Sequence, residues 1–462
     1  MPSAPPHVPP RRALYVAVAV AVAVAVASAA PPLRAQPSAK APAVLTLDEA
    51  LAIAKRNNPT YQLALTGQAR AAANRRTAYG ALIPTLGTNF NVNYREGIQQ
   101  FFAGVAFGAA NNTVGSSYGI NANMTISPGV GFGLRSANAS MDAADETVTL
   151  GLLQLRRDVT VQFMNALQAR ARVTLQDTLL ASARSQLTLT EARAKAGLAT
   201  DLDVRRSQVS VGQQEVALLQ ARSQADVEVF RLFQQIGVSQ SSTVQLSGDL
   251  PIIAPPSDLQ VLLAKATQAS PDLRSRRARL SASQQAYRAQ QAQYLPTLNL
   301  GANLSGATQR LLGTVPAGAP TGGQGTFPFD FVRQPYTLSA GLSLPIFNGF
   351  QREQQIQVAN ADRRDAEAQL RQTELAVQTT VVTQVTILQA DYRAVEINRA
   401  NLAAAREALT LAEERYRLGL ANLVDLVQVR ADLERASNDY IASIYTFHRD
   451  YAQLEAVTGP LR

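Results

Sequence analysis

Four short stretches of this chain alternate strictly between apolar and polar residues. In the first, Leu86, Thr88, Phe90, Val92 and Tyr94 face one way and Gly87, Asn89, Asn91 and Asn93 the other. In the second, Tyr118, Ile120, Ala122, Met124 and Ile126 oppose Gly119, Asn121, Asn123 and Thr125. The third sets Leu298, Leu300, Ala302 and Leu304 against Asn299, Gly301, Asn303 and Ser305. The fourth sets Tyr336, Leu338, Ala340, Leu342 and Leu344 against Thr337, Ser339, Gly341 and Ser343. Period-two alternation predicts strands with one apolar and one wet face.

Between these stretches the period becomes seven. Val381, Leu388, Val395, Leu402, Leu409 and Tyr416 form one row, and at one constant offset earlier stand Val159, Ala166, Val173, Leu180, Leu187 and Ala194. A second pair of rows follows at that same offset, Val204, Val211, Leu218, Ala225 and Leu232 against Leu426, Leu433, Tyr440, Phe447 and Leu454. Sustained heptads predict long helices wound against neighbours. A helix from Ser136 to Ala196 would run about 90 Å, too long for a compact domain. Abundant Ala, Ser and Gln allow close approach on more than one side. Shorter helices are expected over Leu47 to Leu82 and Leu259 to Tyr294.

The chain is therefore a duplication. One interval separates Pro59 from Pro271, Ala54 from Ala266, and Pro84 from Pro296. A slightly longer one, the offset of the heptad rows, separates Gly197 from Gly419 and Gly237 from Gly459. A period this long makes each copy a whole supersecondary unit, not a solenoid repeat. Residues 36–250 read as the first copy and 251–462 as the second, each a helix, two strands and a long helical hairpin.

Two environments can cover the apolar strand faces, a protein core or lipid. Four strands set among long helices make a poor sandwich, and their polar faces carry no charge, as suits a water-filled barrel. A tilted strand crosses a bilayer in roughly 9–11 residues, with aromatic residues at its ends; Tyr94, Tyr118 and Tyr336 lie there. Open edges in lipid are forbidden, so the strands must be pooled between subunits. The connections Arg95 to Ser116 and Ala307 to Gln334 are long, patternless loops that fit the outer side.

The N-terminus fits this picture. Arg11-Arg12 precede an uncharged Ala/Val run from Ala13 to Ala27, so residues 1–35 read as a signal peptide cleaved after Ala29 or Ala35. The chain has no Cys, which excludes disulfides, thiol chemistry and a lipidated N-terminus. The formal charge of +9 comes from basic residues interleaved with acids and Gln along helices, a solvated surface and not a nucleic-acid track. No glycine-rich phosphate loop, nucleophile–His pair or metal-ligand cluster is present, so no enzyme activity and no cofactor are expected. His448, alone in a helix, reads as structural.

The two hairpin turns, Ala196-Gly197-Leu198-Ala199-Thr200-Asp201-Leu202-Asp203-Val204 and Tyr416-Arg417-Leu418-Gly419-Leu420-Ala421-Asn422-Leu423-Val424-Asp425-Leu426, carry a family likeness. So does the junction Leu344-Pro345-Ile346-Phe347-Asn348-Gly349-Phe350. With the duplication and the strands, the chain resembles the outer-membrane efflux proteins, the TolC-like outer-membrane factors, over nearly its whole mature length. The resemblance implies a mainly α fold with membrane β: a homotrimer joining a 12-stranded outer-membrane β-barrel, four strands per protomer, to a trimeric α-barrel of helical hairpins in the periplasm. The strand–helix junctions are expected at Pro84, Pro128, Pro296 and Pro345.

The resemblance also assigns roles. Gly197, Leu198, Thr200, Asp201, Leu418, Gly419, Leu420 and Asn422 form hairpin tips that meet a periplasmic adaptor, itself joined to an inner-membrane pump. Asp203 and Tyr416 match a pair that bonds between neighbouring hairpins and closes the aperture. Asp425 matches an acidic ring in the constriction; Gln428 stands where some members carry a second acid, and Ala421 where a basic residue is common. The implied function is the exit duct of a tripartite efflux or type I secretion system. Its rival is an adhesive or structural coiled-coil surface protein without a pore. Read for chemistry alone, Gly197 and Gly419 are helix C-caps followed by Thr200 or Asn422 as N-caps.

Overall fold

The computed structural model describes residues 44–97, 100–107, 112–239, 244–248, 250–256, 258–312, 327–329 and 331–459. The signal peptide and both cleavage points lie outside the described residues. The chain runs α1 (Leu47–Asn57), α2 (Pro59–Gly80), β1 (Thr85–Arg95), β2 (Asn112–Ile126), α3 (Gly129–Lys195) and α4 (Asp201–Ile236). It then repeats as α5 (Leu259–Ala269), α6 (Pro271–Gln291), β3 (Thr297–Leu312), β4 (Thr337–Ser343), α7 (Gln351–Arg417) and α8 (Leu423–Thr458). Both copies match in length: α3 and α7 have 67 residues each, α4 and α8 have 36.

The expected single helices over Leu47 to Leu82 and Leu259 to Tyr294 are each broken in two. Asn58 and Ser270 precede prolines and take extended ψ values of 122° and 120°, because a proline ring clashes with a helical predecessor. The first break is capped by a side chain, whereas Ser270 makes no such cap at the second. Asn58 Oδ1 accepts from the Tyr61 amide at 3.0 Å, and its Nδ2 donates to the Gln235 carbonyl at 2.7 Å. A proline at the first helical position then costs no hydrogen bond.

The four alternating stretches form one antiparallel sheet in the order β1-β2-β3-β4, and a short strand, Val332–Arg333, also pairs with β3. The register keeps each face intact. Phe90 pairs with Tyr118, Ile120 with Leu304 and Ala302 with Leu338 on the apolar side. Asn89 pairs with Gly119, Asn121 with Asn303 and Gly301 with Ser339 on the polar side. Shifting one strand by a single residue would mix the two faces. The strands run further outward than the alternation implied. β3 continues to Leu312, and the first connecting loop holds a short hairpin, Gln100–Phe102 with Val105–Phe107.

The heptad rows are the buried rows. Val159 and Val381 are inaccessible, as are Leu232 and Leu454, each pair standing at equivalent places in the two copies. They anchor two equivalent cores, one around Phe163 and Phe233 and the other around Leu388 and Phe447. Where α3 crosses α6 the contact residues are small. Ser275 Oγ donates to the Ala143 carbonyl at 3.1 Å, and Ser136 Oγ to the Ala282 carbonyl at 3.0 Å. Among the described residues no helix is both long and apolar enough to cross a membrane.

The end of α4 abuts the first break. Gly237 has φ +74°, and a Cβ there would sit 2.4 Å from the Asn57 carbonyl oxygen. Its counterpart Gly459 has φ +79° but open space around it. A side chain costs roughly 1–2 kcal/mol at the left-handed Gly237 and of order 1–3 kcal/mol at Gly459, whose ψ of 178° is a conformation almost confined to glycine; only Gly237 also meets rigid backbone. Gly237→Ala should therefore lower the melting temperature of the purified protein clearly more than Gly459→Ala. Equal shifts would mean that the contact with Asn57 carries no weight.

Candidate functional site at the hairpin tips

Each long hairpin turns on one glycine. At the first tip Gly197 has φ +75°, its amide donates to Ala194 at 3.0 Å, and the Leu198 amide reaches back to Arg193 at 2.8 Å. At the second, Gly419 has φ +76°, with Gly419 donating to Tyr416 at 3.1 Å and Leu420 to Arg415 at 2.8 Å. A residue in left-handed conformation is what lets these amides satisfy the last helical carbonyls. The return helices then start on caps. Thr200 Oγ1 accepts from the Asp203 amide at 3.2 Å, while Asp203 Oδ2 accepts from the Thr200 amide at 3.1 Å and from its hydroxyl at 2.8 Å. Asn422 Oδ1 accepts from the Asp425 amide at 2.8 Å. The Thr200 hydroxyl, with smaller help from its backbone amide and from Arg206, holds the Asp203 carboxyl below the usual value.

Tyr416 is packed inside its own hairpin, 5% exposed, against Leu409, Ala412, Leu423 and Leu426. Arg193 from the first hairpin lies over its ring, 4.6 Å from the centroid, and donates to its carbonyl oxygen. Among the described residues of the protomer no hydrogen bond joins Asp203 to Tyr416. Asp203 Oδ1 and the Tyr416 hydroxyl have no hydrogen-bond partner among them. Asp425 and Gln428 are both exposed on α8, and Gln428 Nε2 donates to Asp432 Oδ1 at 3.3 Å. Asp425, Asp432 and Asp439 follow one another at seven-residue spacing on one helix face.

Leu198, Leu418 and Leu420 project into solvent, each more than two thirds exposed, and Thr200 and Asn422 sit beside them as caps. Asp201 opens α4. Between α4 and α8, just behind the tips, a groove of about 570 Å³ is lined by Leu202, Val209, Leu423, Val424 and Val427, with Arg205 and Arg206 among them. Pro84 and Pro296 stand just before β1 and β3, Pro128 just before α3, and Pro345 shortly after β4.

Sequence reasoning missed the residues that tie the two hairpins together. Arg193 is one. Arg430 on α8 is another, donating to Glu413 on α7 at 2.9 Å and to Gln186 on α3 at 3.3 Å. Glu434 accepts from Gln176 at 3.1 Å and from Gln214 at 3.2 Å. Basic residues in the last helical turn were a visible signal for Arg193; the others reach partners in the opposite copy of the repeat, which no local pattern marks.

A second polar cluster lies midway along α7. Burial pushes the Asp391 carboxyl up to about 6, reinforced by a hydrogen bond with, and repulsion from, Asp450. The adjacent Arg449 opposes this weakly, since its guanidinium is engaged by Asn165 at 2.9 Å, Gln168 at 2.7 Å and Thr446 at 2.7 Å. Among the described residues no group of His, Asp or Glu could hold a metal ion.

A sheet with one lipid-suited face, continued by helical hairpins capped at glycine tips, defines an outer-membrane channel protein. The family model for outer membrane efflux proteins matches residues 50–238 and 262–460, and the chain belongs to that family. It acts in efflux through the outer membrane, from which it extends into the periplasm. The pyoverdine export outer membrane protein OpmQ of Pseudomonas putida is 27% identical over 342 residues, covering 71% of this chain and 68% of the relative. The Campylobacter jejuni CmeC outer membrane channel superposes with a TM-score of 0.75 at 14% identity, over 89% of this chain and 85% of that one. The outer membrane protein VceC of Vibrio cholerae gives 0.72 at 18% identity, over 89% and 96%. Family membership favours the channel over the adhesin; family and fold are those of channels.

Two outcomes are expected. Arg193→Gln removes a charge-assisted bond and a cation–π contact, together about 1–3 kcal/mol. Hydrogen exchange of residues 416–422 should rise while the α3–α4 contact stays protected; unchanged exchange would make Arg193 a bystander. For Asp391 the folded carboxyl is raised above its ordinary 3.8. Its contribution is therefore full below that value and lost as pH rises through about 6. Asp391→Asn should melt higher than the parent at pH 7.5, with the gap closing by pH 4. A gap that ignores pH would refute the assignment.

Proposed function

We propose that three copies of this chain form the exit duct of a tripartite efflux or type I secretion assembly. One observation carries the reading: a four-stranded sheet with one apolar face, one polar face that is neutral up to Arg95 at its outer end, and two open edges. β1 pairs with β2 alone and β4 with β3 alone among the described residues. Such edges cannot face hydrocarbon, where each unpaired backbone group costs several kcal/mol. Joining β4 of one copy to β1 of the next closes a twelve-stranded barrel and sets the helical hairpins in a ring beneath it. Phe90, Val92, Ile120, Leu300, Leu338 and Leu342 then meet lipid, and Asn91, Asn121, Asn303 and Ser339 line water.

In this trimer the tips form the periplasmic aperture. The Tyr416 hydroxyl and Asp203 Oδ1, both without a hydrogen-bond partner among the described residues, bond across neighbouring hairpins and bias the aperture closed. Each bond is charge-assisted, worth roughly 1.5–3 kcal/mol when shielded. Asp425 faces the mouth, and Asp432 supplies the second acid that Gln428 lacks. The groove between α4 and α8 receives a helical hairpin of the periplasmic adaptor, which links the duct to the pump.

The protein in detergent should have the mass of a trimer and conduct ions in planar bilayers. Tyr416→Phe and Asp203→Ala should each raise resting conductance, and the double variant should add little to either. A silent Tyr416→Phe would retire the gate pair alone. A stable, monodisperse monomer would retire the whole reading.

A further inference from the structure

The polar sheet face pairs asparagine with glycine. Across β1 and β2, Gly87 stands opposite Asn121, Asn89 opposite Gly119 and Asn93 opposite Gly115; Asn123 faces Gly301, and Asn299 faces Gly341. Each of these rows of the sheet holds one glycine beside one asparagine. The asparagines use the space. Asn89 Oδ1 lies 2.6 Å from where a Cβ of Gly119 would be, Asn93 Oδ1 lies 3.0 Å from that of Gly115, and Asn121 Nδ2 lies 3.2 Å from that of Gly87. At Gly301 the space is taken by Ser339 Oγ at 2.6 Å, with Asn123 Oδ1 at 3.5 Å. Gly341 is the exception, with nothing within 4 Å, because Asn299 Oδ1 is turned to accept from Thr125 at 2.9 Å.

These side chains are therefore folded down onto the neighbouring strand and do not stand up from the sheet. Among the described residues the side-chain amides of Asn89, Asn93 and Asn121 make no protein hydrogen bond, and the missing Cβ of each facing glycine is what leaves room for them to lie low. The polar face is concave, with a cleft of about 550 Å³ bounded by Asn121, Asn123, Asn303, Ser305, Thr337 and Ser339. Among the described residues of this face the single charged side chain is Arg95, at the outer end of β1.

We propose that Gly87, Gly115 and Gly119 are positioning residues that set the bore and selectivity of the exit. By letting asparagines lie flat they give the barrel a wide, smooth wall of neutral amides that passes bulky polar cargo of either charge sign. This rests on the assignment of the polar face to the barrel lumen. A methyl group at Gly119 would overlap Asn89 Oδ1 and displace it, whereas at Gly115 and Gly87 it would crowd Asn93 and Asn121 by a few tenths of an ångström, lifting the amides off the strand toward the concave side and into the passage.

The test uses the full-length chain, which has no native Cys. Thr125→Cys puts a thiol on the polar face at the inner end of β2, and Leu342→Cys puts one on the apolar face. Intact cells are treated with maleimide-polyethylene glycols of increasing mass, which enter from outside. Gly87→Ala/Gly115→Ala/Gly119→Ala should lose labelling of position 125 by the largest polymer that labels the parent, while a small maleimide still reacts. Adding Asn89→Ala, Asn93→Ala and Asn121→Ala should restore it. If the triple variant does not assemble, Gly119→Ala with and without Asn89→Ala gives the same comparison. An unchanged size limit, or a lowered limit that asparagine removal does not restore, overturns the proposal. Failure of even the small reagent to reach position 125 in the parent overturns the lumen assignment itself, and with it the proposed duct.

Discussion

A backbone amide or carbonyl in hydrocarbon has no water to turn to, so a strand in a membrane must have a neighbour on both sides. In this chain β2 and β3 have two neighbours each, whereas β1 and β4 have one among the described residues. The missing ladders are the constraint from which the rest of the architecture follows. In the proposed trimer each protomer supplies four strands of a shared barrel. The helices below the sheet then lie against those of the next copy. The small residues at the α3–α6 crossing permit that close approach within the protomer, and the exposed hairpin faces leave room for it between protomers.

The sheet and the helices are joined by a buried cation at one junction. Arg352 near the start of α7 is 6% exposed; it donates to the Pro345 carbonyl at 3.0 Å and stacks on the Tyr294 ring, 3.8 Å from the centroid. It binds the end of β4 and the end of the preceding helical segment to the beginning of the next. A guanidinium suits this place because its flat face packs on an aromatic ring while its edge serves carbonyls that a turning chain leaves open. Glu353 beside it bonds the Tyr294 hydroxyl at 3.1 Å, so the ring is held from both sides.

The strands, the long helices and the duplication were legible because each rests on a short-range period that one sequence displays in full. Val159 and Val381 could be assigned to the core from spacing alone, and both are inaccessible. The helix breaks at Asn58 and Ser270 were legible in principle, since each precedes a proline, but the apolar pattern runs on through them and masked the local rule. The hairpin ties were not legible. Arg193 finds Tyr416, and Gln176 finds Glu434, each in the opposite copy of the repeat, and no local pattern encodes which polar residue will meet which. The pairing of asparagine with glycine needs the register of the sheet, and alternation alone leaves that register open to any shift that keeps the two faces apart.

The same physics gives the two ends of the molecule opposite characters. At the sheet of the proposed trimer every ladder closes between copies, and the polar face is neutral apart from Arg95 at its outer end. At the tips the ties are few, polar and partly solvated: Arg193 on a ring and a carbonyl, Arg430 between Glu413 and Gln186, Glu434 between two glutamines. Of these only Arg430–Glu413 is a charge pair, of a kind that contributes about 1 kcal/mol or less; with about 1–3 kcal/mol for the Arg193 contacts, the ties are small enough for a docking partner to outweigh them. The proposed gate is held by interactions that a partner can replace, and the exposed Leu198, Leu418 and Leu420 offer the apolar surface from which such a partner would gain. In the proposed trimer the sheet has no such surplus, because its ladders close between copies and its apolar face meets lipid. Opening of the proposed duct therefore falls to the end that carries the glycine turns.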